Sequence, residues 1–345
     1  MAPDYNFVAT AIGSLPHSDV GAALDLITQA LPEAPFWPQL VNRSSREDML
    51  LMYSRALAPL ISANPDTRSV EPLSPGVSRE EALALFYQNL WEGNEDNFIL
   101  NETEASGFQA FTQNFLPSSG MVKGQVTGPI TLASAVIGSN GKALLYDEEI
   151  AEAMARGLGA AAAVQARILG AKGARPIIFF DEPSLTGFGS AFSPLTREQA
   201  LRLLRAAFEE ARVRQEKFLL GLHCCGNTDW SLIMEAGPDI ISLDSAGYGS
   251  YLLLYFSQLQ SYLAQGGGVA WGAVPTDPRQ AGNLDDLWLN LKELLDNLVK
   301  SGINKSDLAK ASLITPACGL GSLNEKDAGR LLNMLTPLSR MARAW

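Results

Sequence analysis

The chain has 345 residues, 47% of them hydrophobic and 18% charged, with 30 Gly and 19 Pro scattered along it. That composition fits a globular protein with a large core and many turns, and it argues against a long disordered tract. Its 26 Lys and Arg against 37 Asp and Glu give a formal net charge of -11, which argues against nucleic acid as a partner, because phosphate binding needs a basic footprint.

The opening residues MAPDYNFVAT carry an early Asp and neither a basic start nor a long apolar core, so they do not read as a signal peptide. The first apolar run, 7–14, predicts a strand, and an amphipathic segment follows near 18–30. Two further helical patterns near 45–62 and 77–92 precede a second predicted strand at 98–104. Strands are then expected at 120–127, 176–181, 218–224, 239–244, 268–274 and 311–316. Between and after these lie amphipathic segments near 147–172, 196–215, 228–236, 250–264, 284–300 and 325–334. The Ala-rich run 151–168 contains Glu, Arg and Gln. Nothing approaches the ~18 uninterrupted apolar residues of a membrane span, so no membrane partner is expected.

Eight strand–helix units predict an α/β protein, a (β/α)8 TIM barrel forming a single catalytic domain over 1–345. The stretch of about 31–97 reads as a helical insertion between the first two strands. A doubly wound sheet is the competitor, but no Gly-x-Gly-x-x-Gly follows a strand and no phosphate-loop Lys motif occurs. Nearly every unusual polar residue falls at the C-terminal end of a predicted strand: Ser14 and His17, Glu104, Thr127, Asp181 and Glu182, His223 and Cys225, Asp244, Thr276 and Asp277, and Cys318. In such a barrel that rim is where ligands bind.

The string GLHCCGNTDW is the most informative in the chain. Residues two apart on a strand face the same way, so His223 and Cys225 can share one ion while Cys224 faces away. Cys318 ends another apolar run and can converge with them over the barrel mouth. Three cysteines make a poor disulfide framework and fit a cytosolic protein that keeps its thiols for chemistry or metal. Imidazole nitrogen with thiolate sulfur selects zinc, and three protein ligands leave a fourth position for water or substrate. A free thiol with a pKa near ~8.5 costs about 2 kcal/mol to ionise at pH 7, and zinc removes that cost. Thiol alkylation is therefore the natural chemistry for a zinc with two thiolate ligands. Singly, each of these residues also has a structural reading: a hydrogen-bonded strand-end histidine, or a small buried thiol.

Seven strings, AIGSLPH, NETEASGF, VKGQVTGPITL, IIFFDEPSL, GLHCCGN, DIISLDSA and TPACGLGSL, together give the chain a resemblance. It resembles the catalytic domain of cobalamin-independent methionine synthase, within the wider uroporphyrinogen decarboxylase-like superfamily. The resemblance implies a zinc-dependent methyltransferase that forms methionine from L-homocysteine. It implies that His223, Cys225 and Cys318 ligate zinc, with Asp244 where the family has a Glu ligand. It further implies that Glu104 and Asp181 hold the substrate's amino group and that Ile12, Gly13 and Ser14 line the amino acid. Glu182 and His17 have weaker roles as catalytic or supporting groups, or serve as loop and helix caps. The segment 184–194 reads as a loop that closes the site.

The family's folate enzymes are about twice this length and place a tryptophan soon after the TGP segment, where this chain continues Leu132-Ala133-Ser134-Ala135. With the charge of -11, these departures argue against methyltetrahydrofolate, and the resemblance to the short, core-only methionine synthases implies a methylated corrinoid, carried by a corrinoid protein, as donor. Methyltetrahydrofolate is the alternative donor. Other readings are a zinc methyltransferase for another thiol such as coenzyme M, a porphyrinogen decarboxylase, and a non-catalytic zinc protein.

Overall fold

The segments 177–180 and 269–274 are apolar at successive positions rather than at alternate ones, the pattern of strands covered on both faces. The computed structural model describes residues 4–92, 95–117, 120–189 and 195–345. Its strands are β1 (Val8–Ala9), β2 (Ser14–Leu15), β3 (Gln39–Leu40), β4 (Ile61–Asn64), β5 (Ser69–Pro72), β6 (Met121–Thr127), β7 (Arg175–Asp181), β8 (Leu219–Cys224), β9 (Ile240–Leu243), β10 (Gly268–Val274) and β11 (Ser312–Pro316). Seven of them form one sheet in the order β1-β11-β10-β9-β8-β7-β6, with every neighbouring pair parallel. The sheet is curled, with helices packed around it. Ile177, Phe179, Leu219, Ile240, Ala270 and Leu313 form a small separate core.

The expected closed barrel of eight strands is replaced by this open curl. Between β1 and β6 the hydrogen-bonded ladder is interrupted. The two-residue β2–β3 ladder and a single parallel bridge from Phe36 to Lys123 cross the gap. Gln39 N–H donates to the Gly13 carbonyl at 3.0 Å. Lys123 supplements them: its buried ammonium donates to the Ile12 carbonyl and, at 3.2 Å, to Gln125 Oε1.

The predicted strand at 98–104 does not form. The 3-10 turn Glu95–Phe98 leads into a loop in which Asn101 Oδ1 accepts from the N–H groups of Thr103 and Glu104 at 2.9 and 3.1 Å. A short polar side chain bonding its own following backbone competes with a ladder. The chain nearest β6 on that side is 36–40, so the long irregular stretch follows β3 rather than preceding the second strand. The helix predicted near 45–62 is also mostly absent, reduced to the 3-10 turn Ser45–Glu47 and turns ending in β4. Asp48 Oδ1 accepts from Leu50 N–H at 2.8 Å, and Pro59 lacks the N–H a helix would use.

The other long helices form where the patterns lie. Glu148–Leu169 is capped by Asp147, whose Oδ1 accepts from Ile150 N–H at 3.2 Å. Arg197–Arg214 starts with a capping box of Thr196 and Gln199. The last helix, Glu325–Arg343, runs past the predicted end because its apolar face continues through Leu335, Leu338 and Ala342. Among the described residues, no helix is long and apolar enough to cross a membrane.

Candidate metal centre

His223 lies on β8, and the loop that follows that strand starts with Cys225; Cys318 lies just beyond β11. One ligand atom from each of these three residues falls within 4.8 Å of the others. Around a tetrahedral zinc such atoms stand roughly 3.5–4 Å apart, given Zn–S and Zn–N distances near 2.3 and 2.0 Å. Small side-chain adjustments therefore suffice. His223 is 3% exposed. Its Nδ1 is held by Ser242 Oγ at 2.9 Å, while Nε2 is buried without a hydrogen-bond partner. An orphaned buried nitrogen is costly in a dry interior and natural for a metal ligand whose other nitrogen is oriented by a hydroxyl. The donor set of one imidazole and two thiols fits zinc.

Strand parity separates the adjacent cysteines. Cys224 is fully buried on the opposite face, near the Gly226 carbonyl and Thr186 Oγ1, and burial pushes its thiol up to about 12. Cys225 is held well below an ordinary thiol by Cys318 first and then by His223. One member of the Cys225–Cys318 pair thus carries the charge that a cation would attract.

The three residues open into a cavity of about 320 Å³. Ile12, Ser14 and Asp181 also line it. Asp181 pairs in register with His223 across β7 and β8. Its Oδ1 is buried without a partner. Burial raises its pKa, against the pull of Lys123 and His223. Gly13 sits between two lining residues in a left-handed conformation, φ +146°, where a Cβ would lie 2.5 Å from Gln125 Cδ. Ser14 Oγ accepts from Gly321 N–H at 3.3 Å and its carbonyl from Leu320 N–H at 3.0 Å, which fixes the loop carrying Cys318.

Four expected residues are placed elsewhere. Glu104 is engaged by Arg55 through both oxygens, at 2.8 and 3.0 Å, and also accepts from Asn101 N–H, so it does not line the cavity. Asp244 is not part of the three-residue cluster. Its Oδ1 caps the short helix Ser245–Tyr248 through Gly247 N–H at 2.7 Å, and the residue lines a neighbouring cavity of about 280 Å³. Glu182 points to the other side of the sheet from Asp181. Fully buried, it accepts from Ile130 N–H, Thr131 N–H and Thr131 Oγ1 at 2.8, 2.8 and 2.6 Å, capping the helix Pro129–Ala135. A Cβ on Gly128 would fall 2.1 Å from Glu182 Cδ, which accounts for the Gly of the TGP string. His17 is buried, with Nδ1 unpartnered, but stands outside the lining. Of the expected closing loop 184–194, residues 190–194 lie outside the described residues.

Ser242, Gln39 and Asp48 belong to the site although the sequence reading passed over them. Ser242 was within reach: it stands two residues before Asp244 on a predicted strand, on the same face. Gln39 lies where no strand or helix pattern could orient it, and Asp48 falls within the helix expected near 45–62, which is mostly absent.

A curled parallel sheet with helices outside and a nitrogen–sulfur triad at the C-terminal ends of its strands defines the class. Residues 112–247 match the uroporphyrinogen decarboxylase (URO-D) family. That match covers β6 to β9 and the residues around them. The chain is similar in structure to a putative vitamin-B12-independent methionine synthase from Listeria monocytogenes. That likeness has 12% identity and a TM-score of 0.59, over 100% of this chain and 99% of that one. A B12-independent methionine synthase from Shewanella sp. W3-18-1, in complex with selenomethionine, matches at 17% identity and a TM-score of 0.46. It covers 80% of this chain and 71% of that one. Among curated proteins, none matches the chain in sequence. The expected methylated corrinoid donor and corrinoid-protein partner are overturned by this likeness: a solved structure that the chain resembles over its whole length is that of a putative vitamin-B12-independent methionine synthase.

Proposed function

We propose that the protein is a zinc-dependent, cobalamin-independent methyltransferase that converts L-homocysteine to methionine, with methyltetrahydrofolate as donor. The observation that carries this reading is the His223–Cys225–Cys318 triad, with its orphaned imidazole nitrogen, opening into the cavity that Asp181 lines. In this reading the sheet and its 36–40 segment act together as an eight-stranded barrel, and the whole chain works as one catalytic domain.

The three residues would hold zinc, which when bound stabilises the substrate's sulfur as the thiolate that attacks the methyl group. The protein's own side chains do the rest. Ser242 keeps the His223 ring turned so that Nε2 faces the cavity. Asp181 offers an unpartnered carboxylate oxygen to the substrate ammonium, a charge-assisted contact in a partly dry pocket. Ile12 and Ser14 line the amino acid, and the buried Lys123 holds that segment in place through the Ile12 carbonyl. Fixing the sulfur against an incoming methyl carbon replaces a bimolecular encounter with a positioned one. The new C–S bond forms as the donor's C–N bond breaks, and the departing amine takes a proton.

Coenzyme M fits less well, because the cavity lining has two carboxylates and no Lys or Arg to meet a sulfonate. Purified, zinc-loaded protein incubated with homocysteine and methyltetrahydrofolate should release methionine, and methylcobalamin in its place should not support the reaction. Absence of methionine with the folate donor contradicts the reading.

A further inference from the structure

We propose that Asp48, not Glu104, is the second carboxylate that meets the substrate's ammonium group beside Asp181. The inference rests on the function proposed above and names how that site selects an α-amino thiol. Asp48 and Asp181 line the same cavity as His223, Cys225 and Cys318, and no cationic side chain lines it with them. His223, buried and with its Nε2 unpartnered, independently marks this cavity as a ligand site. Asp48 is half-buried; its Oδ1 accepts from Leu50 N–H at 2.8 Å, and among the described residues no ion pair engages its carboxylate. Glu104, by contrast, is neutralised by Arg55, with an Nε to Oε1 distance of 2.8 Å.

The segment that carries Asp48 is built to hold it still. Its neighbour Glu47 is 1% exposed. Glu47 accepts from Leu40 N–H at 3.1 Å and from Ser106 Oγ at 2.6 Å, and its carbonyl accepts from Gln39 Nε2 at 2.7 Å. On the other side, Thr127 Oγ1 donates to the Met49 carbonyl at 2.5 Å. These four ties hold the residues on either side of Asp48, and Asp48 itself lines the cavity. A pocket with two carboxylates, a soft cation and no basic residue selects for a ligand that carries both a thiol and an ammonium group.

The test compares L-homocysteine with 4-mercaptobutanoate, the same molecule without its amino group, by calorimetric titration into zinc-loaded protein. The native protein should prefer homocysteine by roughly 10- to 100-fold, the value of a charge-assisted contact pair. Asp48→Asn should lose most of that preference while its affinity for 4-mercaptobutanoate stays unchanged, and Glu104→Gln should keep the preference. A preference that survives in Asp48→Asn, or disappears in Glu104→Gln alone, overturns the assignment. Asp48→Ser gives a second reading of the same position if the first variant folds poorly. If neither thiol binds the native protein, the methyltransferase reading itself fails, and the assignment of Asp48 falls with it.

Discussion

His223 and Cys225 face the cavity and Cys224 faces the helices because a strand alternates its side chains, and that alternation is visible in the bare string GLHCCGN. Cys318 joins them because an apolar run that ends on a cysteine places it at the same rim. The triad was thus legible from parity and strand ends alone. Glu104 was not: its carboxylate belongs to Arg55, 49 residues away in sequence, and no local pattern announces such a partner. The same residues set the first prediction. Cys318→Ser and Cys225→Ser should each lose most of the bound zinc, and Cys224→Ser should retain it, as elemental analysis of chelator-free protein will read. Ser242→Ala should keep the fold but weaken zinc binding about 10- to 100-fold in a competition titration, because the hydroxyl that orients the imidazole is gone. Unaltered affinity would mean that Ser242 does not orient the ligand.

At the scale of elements, Asp181 and Glu182 are adjacent and do unrelated work. Parity sends Asp181 into the curl of the sheet and Glu182 outward, onto the N-terminus of the helix Pro129–Ala135. Burial pushes the Glu182 carboxyl up to about 7, against the hydrogen bonds of Thr131 and Ile130. Its ordinary pKa lies at 4.5, so between there and 7 the unfolded chain ionises while the folded protein keeps its proton. The stability it contributes is full below the lower value and falls as pH rises through the upper one, by up to about 3 kcal/mol. Urea midpoints from pH 4.5 to 8 should show that decline in the native protein and a flatter profile in Glu182→Gln. Equal slopes would contradict this account. The helices around the sheet were readable because each carries its own cap and apolar face, as Asp147 and Thr196 show. The strands next to the gap were not readable. Apolar 98–100 reads as a strand start, yet Asn101 turns the chain, and the two-residue β3 is too short for any periodicity to signal.

For the whole molecule, the parallel order of the sheet places every strand's C-terminal end on one side, and the cavity lies there. That arrangement makes one prediction about the site as a unit: it should hold a metal before it holds a substrate, since the buried His223 Nε2 has no hydrogen-bond partner among the described residues and two thiols stand beside it. The net charge of -11 was a poor guide to the methyl donor, because a global balance says little about a local surface. The missing tryptophan after the TGP string was an equally weak guide, since a pterin can be met by other side chains. The central claim is that the metal in this cavity takes a thiol from the substrate. X-ray absorption at the zinc edge, recorded with and without homocysteine, tests it most directly. The account predicts that sulfur coordination rises from two to three when homocysteine is added. A sulfur count that stays at two under saturating homocysteine would contradict it.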